Sequence, residues 1–321
     1  MTQINPLALP TDPTGLHALQ TETHDGRYAQ LDTLTIPALL QAFAADQTQA
    51  AASVLAALPQ METVLEAMLP RIHAGGRLVY VGAGTSGRLG LLDSAELYPT
   101  FSWSPERAIA LLAGGQGALV RAVENAEDNA EAGAGAIRDL QLNAQDCVLA
   151  LAASGRTPYC IGAVQAAKAV GALCVAVVNN AGSPLAAVAD LRIELLTGAE
   201  VIAGSTRLKA GTAQKIALNT LSSSLMVRLG KVYGNRMVDV RASNAKLRIR
   251  ACRLVVESTG VEEAEAQAML ERCGYQVKTA LVALLTGNTP EEAKCLLDQA
   301  GGRVREALSA SHAPPVCPLT P

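Results

Sequence analysis

Short, continuous apolar runs alternate with longer stretches of helical periodicity through the middle of this chain. The runs predict strands at 77–81, 108–112, 146–152, 172–178 and 190–196. The intervening pattern predicts helices at 86–96, near 116–124 and 127–140, at 158–170, and a long one across 209–230. Strands without polar alternation, separated by helices, are the mark of a parallel sheet covered on both faces. Upstream, helices are expected at 35–45 and 48–72, the second carrying Val54, Leu55, Leu58, Met61, Val64, Leu65 and Met68 at helical spacing. Downstream, a connecting helix over 246–257 leads to three short helices punctuated by glycine, at 261–273, 275–285 and 289–300. A terminal helix follows Gly301-Gly302. The fold class is α/β, a parallel sheet sandwiched by helices. The expected division is an N-terminal arm with helices (1–66), a central domain (67–235), a helical C-terminal module (236–310) and a proline-rich tail (311–321).

The first strand runs into Val81-Gly-Ala-Gly-Thr-Ser-Gly-Arg88, with Gly82, Gly84 and Gly87 at G-x-G-x-x-G spacing. Such turns let backbone N–H groups at a helix N-terminus approach an anion. A dinucleotide would further require an acid ending the next strand, about 20 residues on. That strand ends in Ala113-Gly114-Gly115-Gln116, without one, and Glu96 comes too early. A second strand, Cys147 to Ala152, ends in the related turn Ser154-Gly155-Arg156, with Pro158 suited to a first helical turn. Two hydroxyl-and-glycine turns suit a phosphate and a polyhydroxy ligand held between two strand ends. As ordinary features, both are strand-to-helix turns with serine caps.

Composition narrows the partners. Half the residues are hydrophobic and only 3% aromatic, which favours packed helices. A net charge of -3, with no basic run, argues against a nucleic-acid surface. No apolar run of about 18 residues appears, so no membrane span is expected. The seven cysteines lack C-x-x-C spacing, the usage of a reducing compartment, and Met1 to Asp12 lacks a secretory pattern. A cytoplasmic protein is expected. The four histidines, His17, His24, His73 and His312, are scattered and show no metal-ligand spacing.

Two carboxylate segments follow the first turn: Asp93-Ser-Ala-Glu96, and Val123-Glu-Asn-Ala-Glu-Asp128. Ligands of open parallel sheets sit outside the carboxyl ends of the strands, and Glu96 and Glu127 are both expected near those ends. Two carboxylates across a sugar can divide acid and base roles when burial separates their pKa values. As ordinary features they are solvated helix-end acids, and spacing alone does not separate Glu124 from Glu127. A third segment, Gly204-Ser-Thr-Arg-Leu-Lys-Ala-Gly-Thr-Ala-Gln-Lys215, places Lys209 in the first turn of the long helix, where a cation opposes the dipole. Pairing with a bound anion or with a carboxylate would relieve that misfit.

Taken together, these segments resemble the N-acetylmuramic acid 6-phosphate etherases, of the sugar isomerase (SIS) superfamily. The likeness runs in order over about residues 20–310. It is carried by 81–90, Asp93-Ser-Ala-Glu96, 123–128, Ala153-Ser-Gly-Arg-Thr-Pro-Tyr159, Lys209-Ala-Gly-Thr-Ala-Gln-Lys215 and Leu229-Gly-Lys-Val-Tyr-Gly-Asn235. The resemblance implies the SIS fold and a carbon–oxygen lyase that needs no cofactor. Such an enzyme removes D-lactate from N-acetylmuramate 6-phosphate in amino-sugar catabolism and cell-wall recycling. It implies Glu96 and Glu127 as the catalytic acid and base, which separates Glu127 from Glu124. It implies Thr85, Ser86, Gly87, Ser154, Gly155 and Thr157 as contacts to phosphate and sugar, with Lys209 a further candidate. A homodimer with sites near the interface, and a C-terminal module resembling a ubiquitin-associated fold, are also implied.

The chain departs from the family pattern in places. Glu96-Leu-Tyr-Pro-Thr100 stands where Glu-Cys-Pro-Pro-Thr is usual, Asn125 replaces a glycine, and Thr21-Glu-Thr-His-Asp25 replaces Thr-Glu-x-x-Asn. Two other functions suit the fold. An aldose–ketose isomerase has no use for both Glu96 and Glu127. A sugar-phosphate sensor calls for a basic helix-turn-helix or a second SIS unit, and neither pattern is present.

Overall fold

A computed structural model describes residues 19–121, 123–239 and 245–311. Residues 1–18 of the expected arm and 312–321 of the expected tail lie outside the described residues.

The described chain begins with three single 3-10 turns that run over the surface, then enters α1 (Ile36–Asp46), α2 (Thr48–Ala56) and α3 (Leu58–His73). The single helix expected over 48–72 is thus two. Pro59, in the first turn of α3, has no amide to continue a ladder, and the Ala57 amide instead closes α2 on the Ser53 and Val54 carbonyls. The expected boundary at 66/67 falls inside α3, whose Met61, Val64, Met68 and Ile72 are buried against the sheet.

The sheet follows as β1 (Leu78–Gly82), α4 (Gly84–Phe101), β2 (Ala108–Leu112), α5 (Ala130–Asp139), β3 (Cys147–Ala152), α6 (Pro158–Ala169), β4 (Leu173–Val178), α7 (Pro184–Val188), β5 (Leu191–Glu194) and α8 (Lys209–Arg228). Its strands are all parallel, in the order β2-β1-β3-β4-β5. The helix expected near 116–124 is only a 3-10 turn at Gly115–Leu119, a stretch holding two of its own glycines. Side chains alternate between two apolar layers. Leu78, Tyr80, Leu149 and Leu151 face α2, α3, α4 and α8, whereas Val79, Val81, Val148 and Ala150 face α5, α6 and α7. Each such buried branched side chain contributes on the order of 1.5–3 kcal/mol.

The crossover helix α4 extends beyond the expected 86–96. Leu97 and Phe101 reach the core, and that packing carries the helix through Pro99 to a left-handed cap at Ser102. Its inner side is fixed by Asp93, a buried carboxylate that accepts from the Tyr80 hydroxyl at 2.7 Å, the Asn219 amide at 2.8 Å and the Ser222 hydroxyl at 3.1 Å. The chain then reaches the amino edge of the sheet, where Arg107 donates to the carbonyls of Ile72 and Gly76.

A two-stranded hairpin, β6 (Val232–Tyr233) and β7 (Arg236–Met237), leads into α9 (Ala245–Thr259), α10 (Glu263–Arg272), α11 (Val277–Thr286), α12 (Pro290–Gln299) and α13 (Val304–Ala310). These helices gather their own apolar cluster around Val255, Leu270, Leu281 and Leu296. The unit is fastened at the end of α4, where the Ser102 hydroxyl donates to the Asp239 carbonyl, and at the end of α8, where Lys231 pairs with Asp239 at 2.6 Å.

Candidate functional site

The two glycine-and-hydroxyl turns meet at the carboxyl edge of adjacent strands. β1 pairs directly with β3, Gly82 lying opposite Leu151, and β2 flanks β1 on its other side. This is the point where strand order reverses, the crevice in which open α/β sheets bind ligands. The first turn depends on glycine for close approach. A Cβ on Gly82 would stand 2.6 Å from the Gly87 amide nitrogen, and one on Gly87 the same distance from the Gly82 carbonyl oxygen. Gly155 holds φ +66°, with Ser183 packed where a Cβ would go.

Neither α4 nor α6 has a side-chain cap at its N-terminus. The free amides of two first turns are therefore available to an anion in the crevice. Ser86 is buried in the first turn of α4, and Thr85 packs toward the start of α8 beside Gly211. Ser154 accepts from the Arg156 amide at 3.2 Å, and Thr157 and Pro158 open α6. The structure thus assembles Thr85, Ser86, Gly87, Ser154, Gly155 and Thr157 around one crevice.

The two glutamates do not share it. Glu127 stands exposed on the 3-10 turn Ala126–Asp128, which packs on the start of α6, while Glu124 lies in the loop before it. Burial pushes the Cys160 thiol up to about 12, and the Glu127 carboxylate adds to that rise. Glu96 is elsewhere. It lies 12 residues beyond Gly84 on α4, ~18 Å along the axis at 1.5 Å per residue, toward the amino edge of the sheet. The expectation that both lie near the carboxyl ends is therefore corrected for Glu96. A helix joining parallel strands must run back to the edge where the next strand starts.

Lys209, the further candidate, already has a partner within the chain. Its ammonium is buried and donates to Asp46 at 2.9 Å, so the misfit at the start of α8 is relieved by a carboxylate. Glu200 caps the same helix, accepting the Lys209 amide at 3.1 Å and the Ala210 amide at 2.9 Å. Burial raises the Glu200 pKa, opposed by those two amides and the Lys209 charge.

Sequence reasoning passed over Asn179 and Asn180, which follow β4. The Asn180 amide donates to the Ala153 carbonyl and the Thr21 hydroxyl, both at 3.0 Å. It thereby ties the second turn to the N-terminal segment. Asn179 donates to the Leu195 carbonyl and accepts from Gln214, linking β4 to α8. Two buried asparagines directly after an apolar strand were the available signal. Asp25, at the departure from the family pattern, is engaged by Arg27 at 2.6 Å.

A separate cavity of about 750 Å³ lies at the opposite end, walled by Ser102 and by Lys231, Arg248, Lys278 and Lys294, with Asp239 and Asp298. Burial lowers the Lys278 pKa, and its contact with Asp239 at 3.0 Å opposes that fall. Among the described residues, no group of histidine, cysteine or acidic side chains could hold a metal ion, and no helix is long and apolar enough to cross a membrane.

Comparison with known proteins agrees with this architecture. Residues 60–168 match the glucokinase regulatory protein N-terminal SIS domain, residues 129–224 the SIS domain, and residues 234–284 the C-terminal lid domain of glucokinase regulatory protein. The chain resembles a phosphoheptose isomerase structure from Francisella tularensis at 21% identity, covering 60% of this chain and 100% of that one, with a TM-score of 0.47. Far greater likeness is found to the N-acetylmuramic acid 6-phosphate etherase of Deinococcus radiodurans, 57% identical over 86% of this chain and 89% of that protein. The protein of the same name from Rubrobacter xylanophilus is 48% identical over 86% of this chain and 91% of its own length. The chain belongs to the N-acetylmuramic acid 6-phosphate etherase family.

Proposed function

We propose that this chain cleaves the D-lactyl ether of N-acetylmuramate 6-phosphate, giving N-acetylglucosamine 6-phosphate and D-lactate. The observation that carries the reading is the adjacency of β1 and β3, whose carboxyl ends lead through two serine-glycine turns into two helices without side-chain caps, with Glu127 on the turn that packs on the second. The 6-phosphate takes the amides of these turns, with the Ser86 and Ser154 hydroxyls and the neighbouring Thr85 and Thr157 completing its contacts and those of the sugar. Lys209 serves as a strut, holding the start of α8 against the crevice rather than touching the ligand.

The chemistry follows from the open-chain sugar, in which the C2 proton is acidified by the C1 aldehyde. Glu127 removes that proton, the C3–O bond breaks, and Glu96 protonates the departing lactate oxygen, leaving a C2–C3 double bond conjugated with the aldehyde. Glu96, now ionised, takes a proton from water as the hydroxide adds to C3, and the proton held by Glu127 returns to C2. The net change is one water consumed and one lactate released. Each positioned transfer contributes on the order of 10²- to 10⁴-fold. The protein works in the cytoplasm and as a homodimer.

The test is D-lactate release by the purified chain from N-acetylmuramate 6-phosphate, together with exchange of the C2 proton in deuterated water. Glu127→Gln is expected to abolish the exchange. Exchange at the wild-type rate in that variant would move the base to another residue, Glu124 first. Tight binding of the sugar without lactate release would identify a sensor instead.

A further inference from the structure

The cavity of about 750 Å³ at the joint between the central domain and the C-terminal helices gathers charge that the reaction leaves unused. Its volume lies within the roughly 300–1,000 Å³ of pockets that take small molecules. Lys231, Arg248, Lys278 and Lys294 line it against Asp239 and Asp298, a formal excess of two positive charges. The excess is greatest where solvent screens it least. Lys231 and Lys278 share a single carboxylate, Asp239, at 2.6 and 3.0 Å, with side chains only 22% and 12% exposed. One of the two ammonium charges is therefore uncompensated. Burial lowers the Lys278 pKa, Asp239 opposes the fall, and the Lys231 charge adds to it. Such a shift marks an ammonium short of negative charge.

Two further features add to this positive potential. α11 opens at the cavity, with Gln276, Val277, Lys278 and Thr279 in the wall, and it has no side-chain cap. The amides of its first turn are therefore available to an anion. Arg248 is held at the wall by the Tyr275 ring, its guanidinium carbon 4.7 Å from the centroid. Neither Arg248 nor Lys294 pairs with a carboxylate among the described residues, so their N–H groups are free to meet phosphate oxygens.

We infer that this cavity binds a phosphorylated, hydroxyl-bearing small molecule at a site separate from the crevice. The phosphate takes the cations and the α11 amides. Asp298, which has no ion pair among the described residues, accepts a hydroxyl of the ligand body. A metal cation is repelled by the excess charge, and an apolar ligand would bury that charge unpaired. Ser102 ends α4 and Lys231 follows α8, whereas Lys278 and Lys294 belong to the C-terminal helices. The ligand therefore spans the joint and holds the module on the central domain. The reaction in the crevice plays no part in this binding.

The test is protection of the cavity lysines from acetylation in the full chain. Limiting acetic anhydride labels the protein, and peptide mass spectrometry reads Lys231, Lys278 and Lys294 separately, with exposed Lys168 on α6 as the reference. Glucose 6-phosphate is expected to protect the three saturably and to leave Lys168 unprotected. Half-protection should fall at a concentration about tenfold or more below that of chloride at matched ionic strength. Arg248→Gln, and Lys294→Glu read at Lys231 and Lys278, should each raise that concentration about tenfold, with wild-type helicity by circular dichroism. Protection that chloride matches means screening by an adventitious ion only and overturns the inference. Inorganic phosphate protecting as strongly as glucose 6-phosphate overturns the ester and its hydroxyl contact. Lysines labelled equally with and without the sugar phosphate overturn the site. Occupation of the crevice does not enter the reading, which is taken at lysines of the cavity wall, and the lactate assay stands or falls separately.

Discussion

The ion pair between Lys209 and Asp46 lies on two elements 163 residues apart in sequence, and both side chains are 3% exposed or less. Asp46→Leu would leave a buried ammonium without its carboxylate, at a cost of about 3–5 kcal/mol. Lys209→Met keeps most of the volume, and Asp46 retains the Tyr28 hydroxyl at 3.5 Å and the Arg27 guanidinium at 3.8 Å. That single change should be milder, about 1–3 kcal/mol. The double variant Asp46→Leu with Lys209→Met removes both charges and fills the space, so it should fall within about 1 kcal/mol of wild type or exceed it. The two sites would then couple by roughly 3 kcal/mol or more. Urea unfolding at 25 °C, with m unchanged across the set, measures each term. Single-variant costs that add to the double within about 0.5 kcal/mol would refute the buried-pair argument. Kinetics of the same variants decide the role of Lys209. A strut predicts an unchanged KM in the double variant, whereas a raised KM with unchanged kcat would make Lys209 a ligand contact.

Two further outcomes are expected. Gly87→Ala forces a Cβ to within 2.6 Å of the Gly82 carbonyl oxygen, a backbone atom that cannot yield without moving β1 from α4. It should cost about 1–3 kcal/mol, read as a drop in Tm, together with weakened inorganic phosphate binding by calorimetry. Asp146 is fully buried at the side chain and paired with Arg77 at 2.7 Å. Burial acts to raise its pKa, but the Arg77 guanidinium and the amides of Asn143 and Arg77 outweigh it and hold the carboxyl below its ordinary value. A depressed carboxylate contributes stability above its unfolded pKa of about 3.9 and loses it as pH falls through the folded value. Asp146→Asn should therefore cost about 2–3 kcal/mol at pH 7, discounted for the partial exposure of Arg77, with the difference from wild type shrinking below about pH 4. Urea midpoints at several pH values check the slope; a pH-independent difference would exclude the carboxylate as its source.

Much of the frame was legible locally. Continuous apolar runs marked four strands of the sheet, the edge strand β5 alternates instead, and glycines with hydroxyls marked the two turns that β1 and β3 bring side by side. Other features were not local. The Asp46–Lys209 and Thr21–Asn180 contacts join segments far apart in the chain, so no short-range pattern announces them. The break at Ala57 was obscured because helical periodicity continues across it, although Pro59 carried the signal. The hairpin at Val232–Met237 is too short to show alternation. Glu96 is the instructive case. Ending the helix at that residue made it look like a site edge, yet the return path of any parallel crossover carries it away from the ligand. Leu97 and Phe101, both buried, were the residues that showed the helix continuing.

Arg88, at the start of the second turn of α4, donates to the carbonyls of Ala118 and Leu119 at 2.7 and 3.2 Å. Those carbonyls belong to the segment that leads from β2 to Glu127, so the helix proposed to receive the phosphate also braces the loop bearing the proposed base. Binding energy from a remote phosphate can thereby be expressed as order at the reacting carbon. An unphosphorylated sugar would lose turnover as well as affinity, and part of that loss would pass through one guanidinium that touches neither the base nor the bond that breaks.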